Sequence, residues 1–280
     1  WTLLAQNIIV ADKVQSVAAR CVQFTQYHHG PVSLEQTIVN LAQNFTGSNN
    51  VNFAYPDGQF GSRTNHKNAA TRYISTRLAD VARSVFVQAD DPILPIQYDE
   101  GKPIEPKHLL PIIPPVLLNG ATGIGSGYST EVPCCDPAKV VECVRASIAG
   151  ETLPVLEPWY RGFTGTVEDI GGGKYALRGV YEVNDNEITI TEIPPSKSID
   201  DYMGWVIKHC VQADSGAFVK TFDNYSTNES VRIVLKCDKV PADPEKALKL
   251  VETVSTTNMH MFDDSWNLVR YDSFHDIVEA

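Results

Sequence analysis

The sequence predicts an α+β protein in two parts, a winged-helix (helix-turn-helix) domain followed by an α/β domain. Three observations carry that prediction. Helical spacing of apolar residues occurs twice in the first 45 residues, on either side of a short connector containing Gly30. An extended stretch rich in Gly, Asn and Ser follows, as a wing requires. From about Pro133 the pattern turns to one helix and then several strand-like segments divided by turns. The 280 residues, 43% apolar and 9% aromatic, are enough to give each part a core and exclude a disordered tail.

In the first part, Val14, Val17, Ala18, Cys21 and Val22 lie at i, i+3, i+4, i+7 and i+8, one face of an amphipathic helix over residues 13–25. A second helix is expected from Ser33 to about Phe45. Ser33 and Gln36 fit a capping box, Leu34, Ile38, Leu41, Ala42 and Phe45 form the apolar stripe, and Gly47 stands where a stop belongs. The connector Tyr27-His28-His29-Gly30-Pro31 fits a helix-turn-helix, and an ordinary helical hairpin has the same outline. Residues 51–63 read as wing or loop, residues 72–76 as a short strand, and Leu78, Val81, Ala82, Val85 and Phe86 as a further helix ended by Asp90-Asp91-Pro92. Residues 109–130 carry no charge, but Pro111, Pro114, Pro115 and four glycines would interrupt a membrane helix, so we read them as buried strand and loop.

In the second part a helix is expected at residues 138–149, and strands at 163–168, 174–183 and 187–193 with turns at 171–173 and 184–186. Residues 200–211 read as helix and 231–237 as a half-buried strand. Asp243 can cap a helix with Pro244 at its first position, running to about Val254. No internal repeat or low-complexity tract is visible.

The formal net charge is −11, which argues against a uniformly basic nucleic-acid coat protein. The charge is uneven, however. Residues 1–88 hold seven basic residues (Lys13, Arg20, Arg63, Lys67, Arg72, Arg77, Arg83) and four acidic ones (Asp12, Glu35, Asp57, Asp80), net +3, while the other 192 residues net −14 from 16 basic and 30 acidic. The two parts are expected to face different things. The six cysteines include the vicinal pair Cys134-Cys135 and no C-x-x-C, so neither a disulfide framework nor a zinc site is indicated, and a reducing compartment fits. Triplets N-x-S/T begin at Asn44, Asn224 and Asn228, but no secretory leader opens the chain. It starts at Trp1 without Met, as an excised fragment would.

The segment His66-Lys67-Asn68-Ala69-Ala70-Thr71-Arg72-Tyr73 places two certain cations and one possible one within seven residues of a tyrosine. A phenol with an unperturbed pKa of about 10 is a useful nucleophile only where a base or positive surroundings favour the phenolate. Arg72 is suited to hold a phosphate oxygen in two-pronged fashion as charge builds on phosphorus. Taken from the residues alone, a tyrosine packed in a strand is the commoner reading. Gly120, Gly123, Gly125 and Gly127 lack the following helix of a dinucleotide loop, and Gly171-Gly172-Gly173-Lys174 lacks the spacing and Ser/Thr of a P-loop and reads as a hairpin turn.

Four segments, YHHGPVSLEQTIVNLAQNFTGSNN from Tyr27, DGQFGSR from Asp57, RYISTRL from Arg72 and IPPVLLNGATGIGSGYS from Ile113, follow in this order. Their order and spacing resemble the DNA breakage-reunion core of eukaryotic-type (type IIA) DNA topoisomerase II. FTGTVEDI from Phe163, ITITEIPPS from Ile188 and the end at Arg270-Tyr271-Asp272 are similar to that family's tower domain, so the resemblance covers essentially the whole chain. It implies a winged-helix cleavage domain at 1–130, a tower domain at 131–272 and the start of a coiled-coil region at 273–280.

The resemblance also implies roles. Tyr73 falls where the family's nucleophile attacks a DNA phosphodiester, keeping the 5′ phosphate and freeing a 3′ hydroxyl. Arg72 matches the arginine that steadies the phosphate. His28 and His29 stand at the Tyr-His-His-Gly turn, Gln43 at a position lining the DNA groove on the exposed face opposite Leu41 and Phe45, and Lys67 near the backbone. Arg63 is a further expected phosphate contact. Ile124, flanked by Gly123 and Gly125, lies where the family inserts an isoleucine between base pairs to bend the duplex, at a cost of a few kcal/mol that wrapping contacts offset. Before the tyrosine this chain has Asn68 for the family's Asp and Thr71 in place of Ser-Pro, and is one residue shorter.

The resemblance further implies double-stranded DNA as partner, a homodimer in the full-length enzyme, no membrane association, and a nuclear location, or a cytoplasmic replication site for a viral source. Mg2+ and ATP would both bind outside these residues, with the ATPase and acidic metal-binding domains before Trp1 and the coiled coil and exit gate after Ala280. These residues alone are expected to bind DNA weakly and not to cleave it. The alternative is a non-catalytic DNA-binding and bending module that has lost cleavage.

Overall fold

The computed structural model describes residues 1–213 and 216–280. Two helices, Val14–Thr25 and Pro31–Ala42, pack on a three-stranded antiparallel sheet in which Ser75–Leu78 lies between Asp12–Lys13 and Ala54–Asp57. The apolar faces anticipated from spacing meet in one core of Val14, Val17, Ala18, Ile38, Val39, Phe60 and Ile74. This is the winged-helix part.

Several local expectations are corrected here. The second helix begins earlier, at Pro31, whose fixed φ suits the first helical position, with Gly30 as N-cap. The Ser33 hydroxyl donates to the Gly30 carbonyl at 2.9 Å, so no capping box forms. The helix ends at Ala42, and Leu41 is exposed instead of joining the stripe. Residues 71–73 form a turn, and the strand starts only at Ser75. The helix expected around 78–86 is one turn, Ala82–Val85, followed by a 3-10 helix, Gln88–Ile93, and a hairpin, Ile96–Asp99 with Lys102–Pro106. Residues 109–130 are a short helix, Pro115–Asn119, and a mostly exposed hairpin of Ala121–Gly125 with Tyr128–Val132; only Leu117 and Leu118 are buried there. Among the described residues no helix is long and apolar enough to cross a membrane.

The second part starts with the helix Pro137–Ala149, capped by the Asp136 carboxylate and stopped at Gly150, whose φ of +69° is left-handed. Two sheets follow. Val180–Asn184, Glu187–Glu192, Ile233–Cys237 and Val219–Asn224 form a four-stranded antiparallel sheet under the helix Ile199–Val206. Val251–Ser255, Lys174–Arg178 and Thr166–Gly171 form a three-stranded one. The single strand expected over 174–183 is divided at Gly179, where the chain passes between sheets and a Cβ would stand 2.4 Å from the Glu192 carbonyl oxygen. The helix expected to reach Val254 is only Pro244–Ala247. Lys249 takes a φ of +49°, and the β-branched run after it pairs with Lys174–Arg178 instead.

A separate core joins Leu117, Leu118, Val132, Val140 and Cys143 to Met259, Tyr271, Phe274 and Ile277. The boundaries expected at 130/131 and 272/273 therefore pass through packed apolar side chains, and the last helix, Phe274–Glu279, is docked on that core. All six cysteines, Cys21, Cys134, Cys135, Cys143, Cys210 and Cys237, are buried free thiols. Burial pushes Cys134 and Cys210 up to about 11.

The two parts are joined by a polar junction. Arg63, 2% exposed, donates to the Glu192 carboxylate at 2.8 Å and to the carbonyls of Lys197 and Ile193 at 2.6 and 2.7 Å. The other Glu192 oxygen accepts from the Thr164 amide and hydroxyl at 3.1 and 3.0 Å. Around this pair, Ser62 bonds Asn228, Thr64 bonds the Thr227 carbonyl, and Asn65 bonds Asp200. Gly47, with φ +91°, lies against the Pro195 carbonyl so closely that a Cβ would overlap it. His66, next along the chain, stacks on Phe45 with centroids 4.5 Å apart; burial first, and the Arg63 charge second, hold its pKa below the usual imidazole value.

Two outcomes follow from this junction. Arg63→Met leaves the Glu192 carboxylate buried and unpaired, and urea denaturation of the chain should record a loss of about 3–5 kcal/mol. Because His66 has a depressed folded pKa, the unfolded state takes up its proton first, so the His66 contribution is present above its unfolded value of about 6.5 and is lost as pH falls below it. Stability measured from neutral to about pH 5 should fall less steeply in His66→Gln than in the parent.

Candidate nucleic-acid interface

Tyr73 closes a turn between the wing and the central strand. Its amide donates to the Ala70 carbonyl at 2.8 Å, its own carbonyl accepts from the Lys13 ammonium at 3.0 Å, and the ring is 67% exposed. The Arg72 guanidinium lies over the ring, 4.8 Å from its centroid. The phenol hydroxyl has no hydrogen-bond partner among the described residues. One residue upstream of Arg72, the Thr71 hydroxyl donates to the Glu35 carboxylate, on the second helix, at 2.5 Å. Tyr73 is therefore fixed through its backbone, with its phenol hydroxyl unbonded among the described residues.

The charges of residues 1–88 sort into two groups. Arg20 pairs with Asp12 at 2.6 Å, Arg63 with Glu192 at 2.8 Å, Arg77 with Asp80 at 3.0 Å and Arg83 with Asp91 at 3.3 Å. Lys13, Lys67 and Arg72 have no carboxylate within 4 Å among the described residues, and all three belong to the tyrosine turn, its anchor or its approach. Two of them meet at Tyr73, Lys13 on its carbonyl and Arg72 over its ring. His66, counted in the sequence as a possible cation, is disfavoured as one by its burial.

His28 and His29 stand on the exposed turn before the second helix. The His28 Nε2 is 3.0 Å from Asp99 on the neighbouring hairpin, and His29 packs edge-on against Tyr27 with centroids 5.2 Å apart. Lys67 is exposed, with its amide donating to the Asn65 side chain at 3.0 Å. Gln43 follows the second helix as its C-cap and is half-buried, not on an exposed face; its amide donates to the Phe60 and His66 carbonyls at 2.9 and 3.2 Å. It steadies the loop leading to Tyr73. Arg63 is corrected outright. It was expected as a phosphate contact, but it is enclosed in the junction with Glu192 and has no face toward solvent.

Ile124 lies apart from this cluster, 92% exposed on the hairpin Ala121–Gly125 with Tyr128–Val132. That hairpin leans on the segment from Asn258, since the Glu131 amide donates to the Asn258 carbonyl and the His260 amide to the Thr130 hydroxyl. Gly120 is needed by the backbone: its φ is +72° and a Cβ would stand 2.7 Å from the Val132 carbonyl oxygen. Gly123 and Gly125 are not, because a Cβ would meet its nearest neighbour at only 3.5 and 3.8 Å. The bare flanks of Ile124 serve something other than the hairpin's own packing. An open apolar cavity of about 500 Å³, lined by Ile124, Tyr128, Met261, Phe262 and Leu268 among others, runs beside it.

Among the described residues no three His, Cys, Asp or Glu side chains stand together so as to hold a metal ion. Glu35, the carboxylate tied to the tyrosine turn, is engaged by Thr71. The surroundings of Tyr73 do not fit a Mg2+ site built by this chain alone. Gly171 to Lys174 is a hairpin turn joining paired strands, as the sequence indicates, and not a phosphate cradle. Lys13, Glu35, Thr71 and Asp99 escaped the sequence reading. Only pairing between Asp12–Lys13 and Ser75–Leu78, which sequence patterns do not reveal, brings Lys13 to Tyr73.

Three comparisons bear on this arrangement. The chain is similar to the proteins named DNA topoisomerase 2 of Penicillium chrysogenum, at 37% identity over all of this chain and 18% of the relative, and of Arabidopsis thaliana, at 38% identity over 95% of this chain and 19% of the relative. It thus spans under a fifth of the length of these curated relatives. It is also similar to the crystal structure of the Plasmodium falciparum topoisomerase II DNA-binding, cleavage and re-ligation domain, with a TM-score of 0.92 and 36% identity, over all of this chain and 39% of that one. The mixed helix-and-sheet architecture of winged helix and tower agrees with that solved structure. The model of the DNA gyrase/topoisomerase IV A-subunit family matches residues 4–280, and the chain belongs to that family.

Proposed function

We propose that these 280 residues are the DNA-binding and cleavage region of a type II DNA topoisomerase, and that Tyr73 is its nucleophile. One observation carries the reading. Four of the seven cations in the first 88 residues pair with carboxylates, and of the three that remain Arg72 lies over the ring of an exposed, unbonded phenol and Lys13 bonds that residue's carbonyl. Positive charge beside an exposed phenol attracts the phosphodiester it would attack.

In the proposed step the Tyr73 phenolic oxygen bonds to phosphorus and the bond from phosphorus to the 3′ oxygen breaks. The phenol gives up its proton, the 3′ oxygen takes one, and the 5′ phosphate stays on the protein. The ester energy is retained, so the reverse step reseals the strand. Arg72 offers two parallel N–H donors to the charged oxygens, Lys67 and Lys13 add charge along the backbone, and His28 and His29 line the approach. Gln43 acts by holding the loop between Phe60 and His66. Ile124 enters the base stack at a kink, with Gly123 and Gly125 leaving room for the neighbouring base pairs.

The same proposal extends to the whole protein. Two such chains in a homodimer make a staggered double-strand break for duplex passage. In this reading Mg2+ and ATP are bound by regions of the full-length protein other than these residues. The protein acts on nuclear DNA, or at a cytoplasmic replication site for a viral source. These residues alone bind DNA weakly and do not cleave it.

Covalent trapping tests the reading. The full-length protein, incubated with supercoiled DNA and Mg2+ and quenched with detergent, should carry protein on the 5′ ends, and Tyr73→Phe should abolish the adduct without weakening DNA binding. A folded, DNA-binding parent with no adduct would instead establish the non-catalytic bending module. In a fluorescence-transfer bending assay, Ile124→Ala and Gly125→Val should each reduce the bend while the melting midpoint stays at the parent value, since neither position is packed in the fold.

A further inference from the structure

The turn carrying Tyr73 holds Thr71, whose hydroxyl donates to the Glu35 carboxylate on the second helix. We propose that Glu35 is a positioning residue for Tyr73, acting through its hydrogen bond with the Thr71 hydroxyl. The inference rests on the reading of Tyr73 as nucleophile.

Three observations carry it. First, the bond joins elements 36 residues apart, and it ties the tyrosine turn to the second helix, which the turn holding His28 and His29 precedes. The amide of Tyr73 closes on Ala70, so Thr71 and Tyr73 share one turn and move together. Second, Lys13 holds the other side of that turn at the Tyr73 carbonyl, from the strand that leads into the first helix. A turn held at one point can swing, whereas a turn held from two sides has one placement. Third, the Glu35 carboxylate is spent on a hydroxyl and not on a cation. Asp12 and Asp80, in the same basic region, each neutralise an arginine, but Glu35 has no cation within 4 Å among the described residues, although Arg72 is the next residue after its partner. Arg72 lies over the Tyr73 ring instead. Turning Glu35 to a hydroxyl both fixes the turn and leaves the Arg72 guanidinium available to phosphate.

A misplacement of about 1 Å at a reacting atom costs up to about a hundred-fold in rate, so loss of the bond should appear in the chemical step and not in binding. The test uses the full-length protein and single-turnover adduct formation on a short duplex, with DNA affinity and melting midpoint measured alongside. Glu35→Ala and Thr71→Val should each slow adduct formation about ten-fold with the dissociation constant unchanged within about two-fold. The double variant should be no slower than either single one, because both remove the same bond. Thr71→Ser, which keeps the donor, and Glu35→Gln, whose amide oxygen still accepts, should restore most of the rate.

Parent-like rates in both single variants, or losses that multiply in the double variant, would overturn the positioning role. So would a fall in melting midpoint or DNA affinity that tracks the fall in rate, since a merely structural bond would move all three. A parent that forms no adduct at all sinks the nucleophile reading and this inference with it, and that result is distinct from a cleaving parent with unaffected variants.

Discussion

The buried pair of Arg63 and Glu192 is the interaction on which the arrangement of the site depends. Two opposite charges taken out of water need further hydrogen bonds around them, and here the guanidinium bonds two carbonyls as well as the carboxylate, and the carboxylate bonds Thr164 and the Ile193 amide. Arg63 opens the segment that leads through His66 and Lys67 to Tyr73. By locking that segment to the second part, the pair sets where the approach to the tyrosine begins. Hydrogen bonds from Ser62, Thr64 and Asn65 to the same part make the placement redundant.

From that fixed origin the loop is held at intervals. Gln43 bonds it at Phe60 and His66, Glu35 at Thr71 and Lys13 at Tyr73. Each anchor uses a polar side chain on a backbone or hydroxyl group, so the loop is ordered without burying the phenol. The result is a side chain with both a defined position and an open face. Ile124 follows the same logic with different chemistry. Its hairpin is held through Glu131, Thr130 and Asn258 while the tip residue stays bare.

The electrostatics depend on tertiary structure more than on composition. The first 88 residues net only +3 by count, a value too small to predict much about affinity. Pairing offsets the charge of Arg20, Arg63, Arg77 and Arg83 and leaves Lys13, Lys67 and Arg72 without a carboxylate partner among the described residues, two of them at Tyr73. The acidic second part has many more carboxylates than cations, and its arginine Arg178 is itself held between Glu168 and Glu245.

The sequence by itself determined that two amphipathic helices lie near 13–25 and 33–45, though not the ends of the second, together with the hairpins around 171–173 and 184–186 and the tyrosine beside Arg72 and Lys67. Helical and strand periodicities, turn residues and motif spacing are local properties, and each is written in a dozen residues or fewer. The resemblance carried by Tyr-His-His-Gly and Arg-Tyr-Ile-Ser extended the reading to the family. Tertiary structure alone decided which of those residues are accessible and which are spent. Arg63 and Lys67 look alike in sequence, but one meets a carboxylate 129 residues away and is buried while the other stays exposed. Residues 251–255 have helical neighbours and still form a strand, because the open edge of Lys174–Arg178 needs a partner. Lys13 and Glu35 reach Tyr73 only through strand pairing and helix packing. A charge's partner and a strand's neighbour are set by packing between distant segments, which no local pattern encodes.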